Sequence, residues 1–148
     1  MTMIDKKKNN SPLLSLLVLF VLGGIIYAGI EVLVREFTHI SMFIVGGLCF
    51  LLIGSIKYWK NPPIPVTVQM LISCAIITVL ELISGLIVNV WLGLNVWDYS
   101  DQRYNLFGQI CLHASSIWVF LSFFAIYAHD FASRRMFGMR RIYMRILP

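Results

Sequence analysis

Residues 66–94, VTVQMLISCAIITVLELISGLIVNVWLGL, run for 29 positions with a single charged side chain, Glu81. About 20 apolar residues in a helix cross the roughly 30 Å of hydrocarbon in a bilayer, so this stretch is long enough to span one. Outward from it lie three more blocks of the same kind, residues 13–34, 42–59 and 106–128, divided by short polar or proline-bearing connections. The whole chain agrees: 59% of its 148 residues are hydrophobic, only 13% are charged, and mean hydropathy is +0.81. A water-soluble domain carries about 25% charged residues. The expected fold is therefore an all-α polytopic membrane protein with four transmembrane helices arranged as two hairpins.

Composition also excludes classes. Intrinsic disorder needs a chain poor in apolar residues. A disulfide-stapled secreted fold is excluded because Cys49, Cys74 and Cys111 all lie inside apolar blocks without a Cys-x-x-Cys pair. Nucleic acid is not an expected partner, since the net charge of +5 comes from Lys and Arg at the ends of apolar segments rather than from a basic face. Lys6, Lys7 and Lys8 ahead of an apolar run imitate a secretory signal, but that run continues to about residue 34 without a small-residue cleavage site. It reads as an uncleaved first span.

Retained cytoplasmic segments carry the excess of Lys and Arg, and this sets the orientation. Ten of the twelve cations fall on one side: Lys6, Lys7 and Lys8 in the first tail, Lys57 and Lys60 in the middle loop, and Arg134, Arg135, Arg140, Arg141 and Arg145 in the second tail. Arg35 and Arg103 lie on the two opposite loops, so both termini are expected in the cytoplasm and the chain in the cell membrane. The division is a basic tail over 1–12, a transmembrane domain over 13–128 and a second basic tail over 129–148. That last tail interleaves Phe131, Met136, Phe137, Met139, Ile142, Tyr143 and Met144 with its arginines. It suits an amphipathic helix on anionic headgroups or a plain topology anchor. Tyr58 and Trp59 on one side, and Trp91 and Trp97 on the other, suit the interfacial aromatic belts. Gly46 to Cys49 and Gly108 to Cys111 give the two hairpins an internal echo, as parallel repeats would.

Ionisable groups inside spans cost several kcal/mol by insertion scales and normally face a protein interior or a wet cavity. Glu81 lies mid-span, and Gly85 and Asn89 follow at i+4 and i+8 on one stripe. A proton relay, a ligand for a cationic substrate and a structural interhelical hydrogen bond all fit it. Glu31 is placed to pair with Arg35 at i+4. Thr38 or Ser41 offers an amino-terminal cap to the second helix. Glu31, Arg35, His39, Asn89, Trp97, Asp98, Tyr99, Asn105, Gln109 and His113 all fall in the outer halves of the spans or on the outer loops. An outward-facing polar pocket is expected there. His39, His113, Asp98 and Glu31 lack a spaced metal-ligand motif such as His-Glu-x-x-His, so no metal or other cofactor is expected. His129, beside Asp130, reads as an interfacial residue. The chain has no Ser-His-Asp order and no nucleotide-binding loop, so any ATPase is a separate subunit.

Several stretches carry a resemblance: Tyr27 to Glu31 with Arg35, Thr38-His39-x-Ser41-Met42 leading to Gly46-Gly47-Leu48-Cys49, Glu81-x-x-x-Gly85 with Asn89, Trp97-Asp98-Tyr99-Ser100, and Asn105-x-x-Gly108-Gln109-Ile110-Cys111 with Trp118. In these the chain resembles the CmpB-like permease family, small four-helix membrane proteins labelled ABC transporter type IV. The match runs from about residue 24 to 120. Glu36 departs from it where the resemblance implies glycine, and a helical residue there would stiffen the first outer turn. The resemblance implies transport, with a homo-oligomer, a partner membrane protein or an ATPase subunit alongside, because four helices leave little room for a path. The reading is a permease-like or substrate-binding membrane protein, with Glu81, Asn89 and Gln109 central to the pocket and Arg35, His39, Asp98 and His113 at its rim. A non-transporting partner or sensor subunit is the alternative. An intramembrane enzyme acting on a lipid or envelope substrate through Glu81 or Asp98 is a further one.

Overall fold

A computed structural model describes residues 11–60 and 63–138. Four helices in it are long and apolar enough to cross a membrane. Helix α1 (Pro12–Arg35) opens with Pro at its first turn and the Ser11 hydroxyl accepting from the Leu14 amide at 3.2 Å. It ends at Glu36, which holds the left-handed conformation (φ 58°) while its amide bonds Val32 O at 2.9 Å. This left-handed cap is the geometry that favours glycine, so Glu36 terminates the helix instead of extending it.

Helix α2 (Ile40–Ser55) is capped by neither Thr38 nor Ser41. The imidazole of His39 does it, Nδ1 accepting from the Ser41 amide at 3.2 Å. A single 3-10 turn, Ile56–Tyr58, follows. Pro63 and Pro65 then keep the chain extended before α3 (Val66–Gly85), which continues into a π-turn over Leu86–Trp91. Helix α4 (Leu112–Phe137) starts six residues later than its apolar block. Phe107 (φ 54°) and Gly108 (φ 68°) reverse the chain, and Asn105–Leu106 (β1) pairs antiparallel with Ile110–Cys111 (β2). At its far end α4 runs past residue 128 to a left-handed Gly138 cap, so His129, Asp130 and Arg134 are residues of the same helix. The expected echo between Gly46–Cys49 and Gly108–Cys111 has no structural counterpart. The first pair lies mid-helix, whereas Gly108 turns a loop and Cys111 caps α4.

Packing places α2 at the centre: 56% of its apolar window is buried, against 28%, 28% and 22% for the other three spans. A repeated octapeptide joins α1 to α2. Phe20-Val-Leu-Gly23-Gly24-Ile-Ile-Tyr27 recurs as Phe43-Ile-Val-Gly46-Gly47-Leu-Cys-Phe50. The two copies pack in reciprocal fashion: Gly23 lies under Phe50 as Gly46 lies under Tyr27, and Gly24 under Phe43 as Gly47 under Phe20. Close backbone approach at paired small residues is how helices gain contact where lipid removes the hydrophobic drive between them. Any Cβ at Gly23 or Gly46 would run into the opposing aromatic Cβ.

The bundle has two poles. At one, the guanidinium of Arg35 donates to Val96 O, tying the end of α1 to the loop after α3. At the other, Lys57 bonds Asp130, tying the end of α2 to α4. The outward faces are aliphatic and aromatic, as in Leu33 and Phe120, the surface that lipid solvates.

Candidate functional site

Glu81 is 3% exposed and faces the centre of the bundle. Its Oε1 accepts from the Tyr27 hydroxyl at 2.8 Å and its Oε2 from Trp118 Nε1 at 2.8 Å. The two donor rings stack with centroids 5.4 Å apart and planes inclined by 22°. One carboxylate thus joins α1, α3 and α4. Tyr27 reaches it because Gly46 has no Cβ beneath the ring. Among the described residues no cation pairs with Glu81, since the only ion pairs there are Arg35–Glu31, Lys57–Asp130 and Arg134–Asp130.

One turn further along α3, Gly85 leaves room for Gln109 and Trp97, as a Cβ there would sit 2.5 Å from Gln109 Oε1. Asn89 lies in the π-turn, the kind of widened helix that recurs at functional sites. Its Nδ2 donates to Trp97 O at 2.9 Å and Gln109 Oε1 at 2.8 Å, and its Oδ1 accepts from the Val96 amide at 2.7 Å. Trp97 Nε1 donates to Gln109 O at 2.9 Å, and Gln109 Nε2 to Phe107 O at 2.9 Å. Arg35 Nη1 pairs with Glu31 Oε2 at 2.9 Å, and its other nitrogen holds Val96 O. Loop and helix ends are therefore fastened by side-chain amides in place of regular backbone ladders, which satisfies buried polar groups within the chain.

The structure brings together Glu31, Arg35, Glu81, Asn89, Trp97 and Gln109. Trp97, placed by the sequence reading in an interfacial belt, is buried, whereas Trp91 is exposed. The remaining candidates lie around this cluster. Asp98 is exposed, and bonds from the Ser100 hydroxyl (2.6 Å) and amide (2.8 Å) hold its carboxyl below the usual range. Tyr99 is half-buried, and burial pushes its hydroxyl up to about 12. Asn105 organises the turn before α4, its Oδ1 accepting from the Gly108 amide at 3.1 Å. His39 caps α2, and exposed His113 lines a shallow cleft with Asp101, Arg103 and Ser116. Among the described residues no three of His, Cys, Asp and Glu gather as a metal site.

Two features escaped the sequence reading. The donors Tyr27 and Trp118 were unassigned, although each is an aromatic with a polar tip at the depth of Glu81. The opposite pole holds a second buried charge cluster: Lys57 Nζ to Asp130 Oδ1 at 2.9 Å, both side chains 3% exposed, and Arg134 Nε to Asp130 Oδ2 at 2.8 Å. His129 is buried, its ring 5.1 Å from that of Phe50 and against Gly54. Between the poles lies an apolar cavity of about 140 Å³, bounded by Tyr27, Phe50 and Trp118.

No curated protein and no solved structure matches the chain. The family described as "Putative ABC-transporter type IV" matches residues 10–147, nearly the full length. With its four apolar helices this is a multi-pass membrane protein, and the chain belongs to the ABC-transporter type IV family.

Proposed function

We propose that this chain is the membrane-embedded component of an ABC-type transport system, permease-like or substrate-binding, with the Glu81 cluster as a polar site on the outer side. The helices form two hairpins in the cell membrane with both termini in the cytoplasm, an orientation supported by the sequence, which puts ten of its twelve Lys and Arg in the two tails and the middle loop. One observation carries the reading: a carboxylate in mid-span held by two neutral donors and no cation among the described residues. A buried acid so placed is free to exchange a proton or meet a cationic group, which an ion-paired one is not. Having no nucleotide-binding loop of its own, the chain needs an ATPase partner for ATP-driven work. A homo-oligomer would supply the path that four helices lack.

The test is flux in proteoliposomes carrying a trapped pH dye, with and without the ATPase that co-purifies. Loss of flux in Glu81→Gln, with insertion and helicity unchanged, supports the reading; unchanged flux refutes it. A partner or sensor role has one observation on its side: each polar group of Glu81, Asn89 and Gln109 already has a partner within the chain. That role predicts co-purification with a specific membrane protein that tolerates Glu81→Gln.

A further inference from the structure

The apolar cavity of about 140 Å³ borders the Glu81 cluster but is lined by no charged side chain. Gly23, Ile26, Cys49, Ala125 and Ala128 contribute to its wall, and the rings of Tyr27 and Trp118 close it on the side of Glu81. Small residues make it: with Gly23 on one side and Ala125 and Ala128 on the other, α1 and α4 do not fill the space between them. The mouth lies between exposed residues of those helices, Ile26 and Phe124, 40% and 67% accessible. Ile26 falls in the middle of the span Pro12–Arg35 and Phe124 in the middle of Leu112–Phe137, so the mouth faces the centre of the hydrocarbon layer.

An apolar cavity of about 150 Å³ inside a protein stays dry and takes up a small apolar guest. Water has nothing to bond in this recess either, and what stands at its mouth is hydrocarbon. We propose that the recess is a lateral binding site for the hydrocarbon chain of a bilayer lipid. Its size admits a short length of chain and leaves the headgroup outside. The chain end lies against Tyr27 and Trp118, the two rings that donate to Glu81. The site is independent of whether the protein transports.

The test uses the intact protein in phosphatidylcholine vesicles doped with a phosphatidylcholine that carries a diazirine near the chain terminus. After irradiation, adducts are mapped by peptide mass spectrometry. Adducts on Tyr27, Cys49 and Ala128 are expected beside those on lipid-facing Leu33 and Phe120. Ala125→Leu, which fills the recess, removes the wall adducts and leaves the surface ones; Ala128→Leu is a second filling variant should the first fail to insert. Labelling confined to the outer faces overturns the proposal. So does wall labelling that survives both filling variants.

Discussion

Replacing Tyr27 by Phe deletes one oxygen and keeps everything else the ring does. The stack on Trp118, with centroids 5.4 Å apart, and the fit over Gly46 both remain. What is lost is the 2.8 Å bond to Glu81 Oε1. A hydrogen bond to a charged partner contributes about 1.5–3 kcal/mol in water-soluble proteins. Double-mutant cycles in a membrane bundle average nearer 0.6 kcal/mol with a maximum of about 1.7, because the unfolded chain in the membrane also finds partners. Glu81 is 3% exposed and among the described residues has one other donor, Trp118, so the upper end of the membrane range applies. Tyr27→Phe should cost about 1–2 kcal/mol. The assay is reversible unfolding in mixed lipid–detergent micelles followed by circular dichroism. Repeating it in the Glu81→Leu background, which leaves no acceptor for the Tyr27 hydroxyl, completes a cycle, and the coupling between the two positions should account for most of the loss. A cost below about 0.3 kcal/mol, or a cycle with no coupling, would refute the idea that Tyr27 holds the carboxylate.

Further outcomes follow from other contacts. Gly46→Ala drives a methyl into Tyr27 and should destabilise the bundle by about 1–3 kcal/mol, whereas Gly29→Ala, with open space around it, should not; the same unfolding assay compares them. Glu36→Gly relieves a left-handed residue and should raise stability by about 1 kcal/mol in that assay. Asp130→Asn leaves the 3%-exposed Lys57 ammonium without its carboxylate and should cost about 3–5 kcal/mol, while Lys57→Met with Asp130→Leu recovers much of that. The Tyr99 phenol, raised to about 12, should ionise later than a free tyrosine when followed by phenolate absorbance. Because its folded value lies above the unfolded one, its contribution to stability is complete below about pH 10 and is lost as pH rises through about 12. Tyr99→Phe should remove that loss.

The spans were legible because block length and the prolines around residue 63 are local signals that bilayer thickness makes decisive. The inward turn of Glu81, Gly85 and Asn89 followed from helical spacing and the cost of exposing them to lipid. The start of α4 was not legible: residues 106–111 are apolar enough to read as helix, yet the positive φ angles at Phe107 and Gly108 depend on the Asn105 and Gln109 bonds of the folded loop. Likewise the Phe-x-x-Gly-Gly repeat stands in plain view, but only the antiparallel pairing of α1 and α2 shows that each copy receives the other's aromatic. Lys57 and Asp130 sit at span ends, where charge reads as topology, and only the approach of α2 to α4 converts them into a buried pair.

The central claim is that the Glu81 carboxylate turns into the bundle and is held by Tyr27 and Trp118. Dipolar-recoupling solid-state NMR on the protein in bilayers, with carbon-labelled glutamate and nitrogen-labelled tryptophan, tests it directly once Glu81→Gln has assigned the Glu81 signal. The account predicts a close coupling between Glu81 Cδ and Trp118 Nε1, across the 2.8 Å bond to Oε2. A Glu81 carboxyl that shows no coupling to Trp118 and instead contacts lipid acyl protons would contradict it.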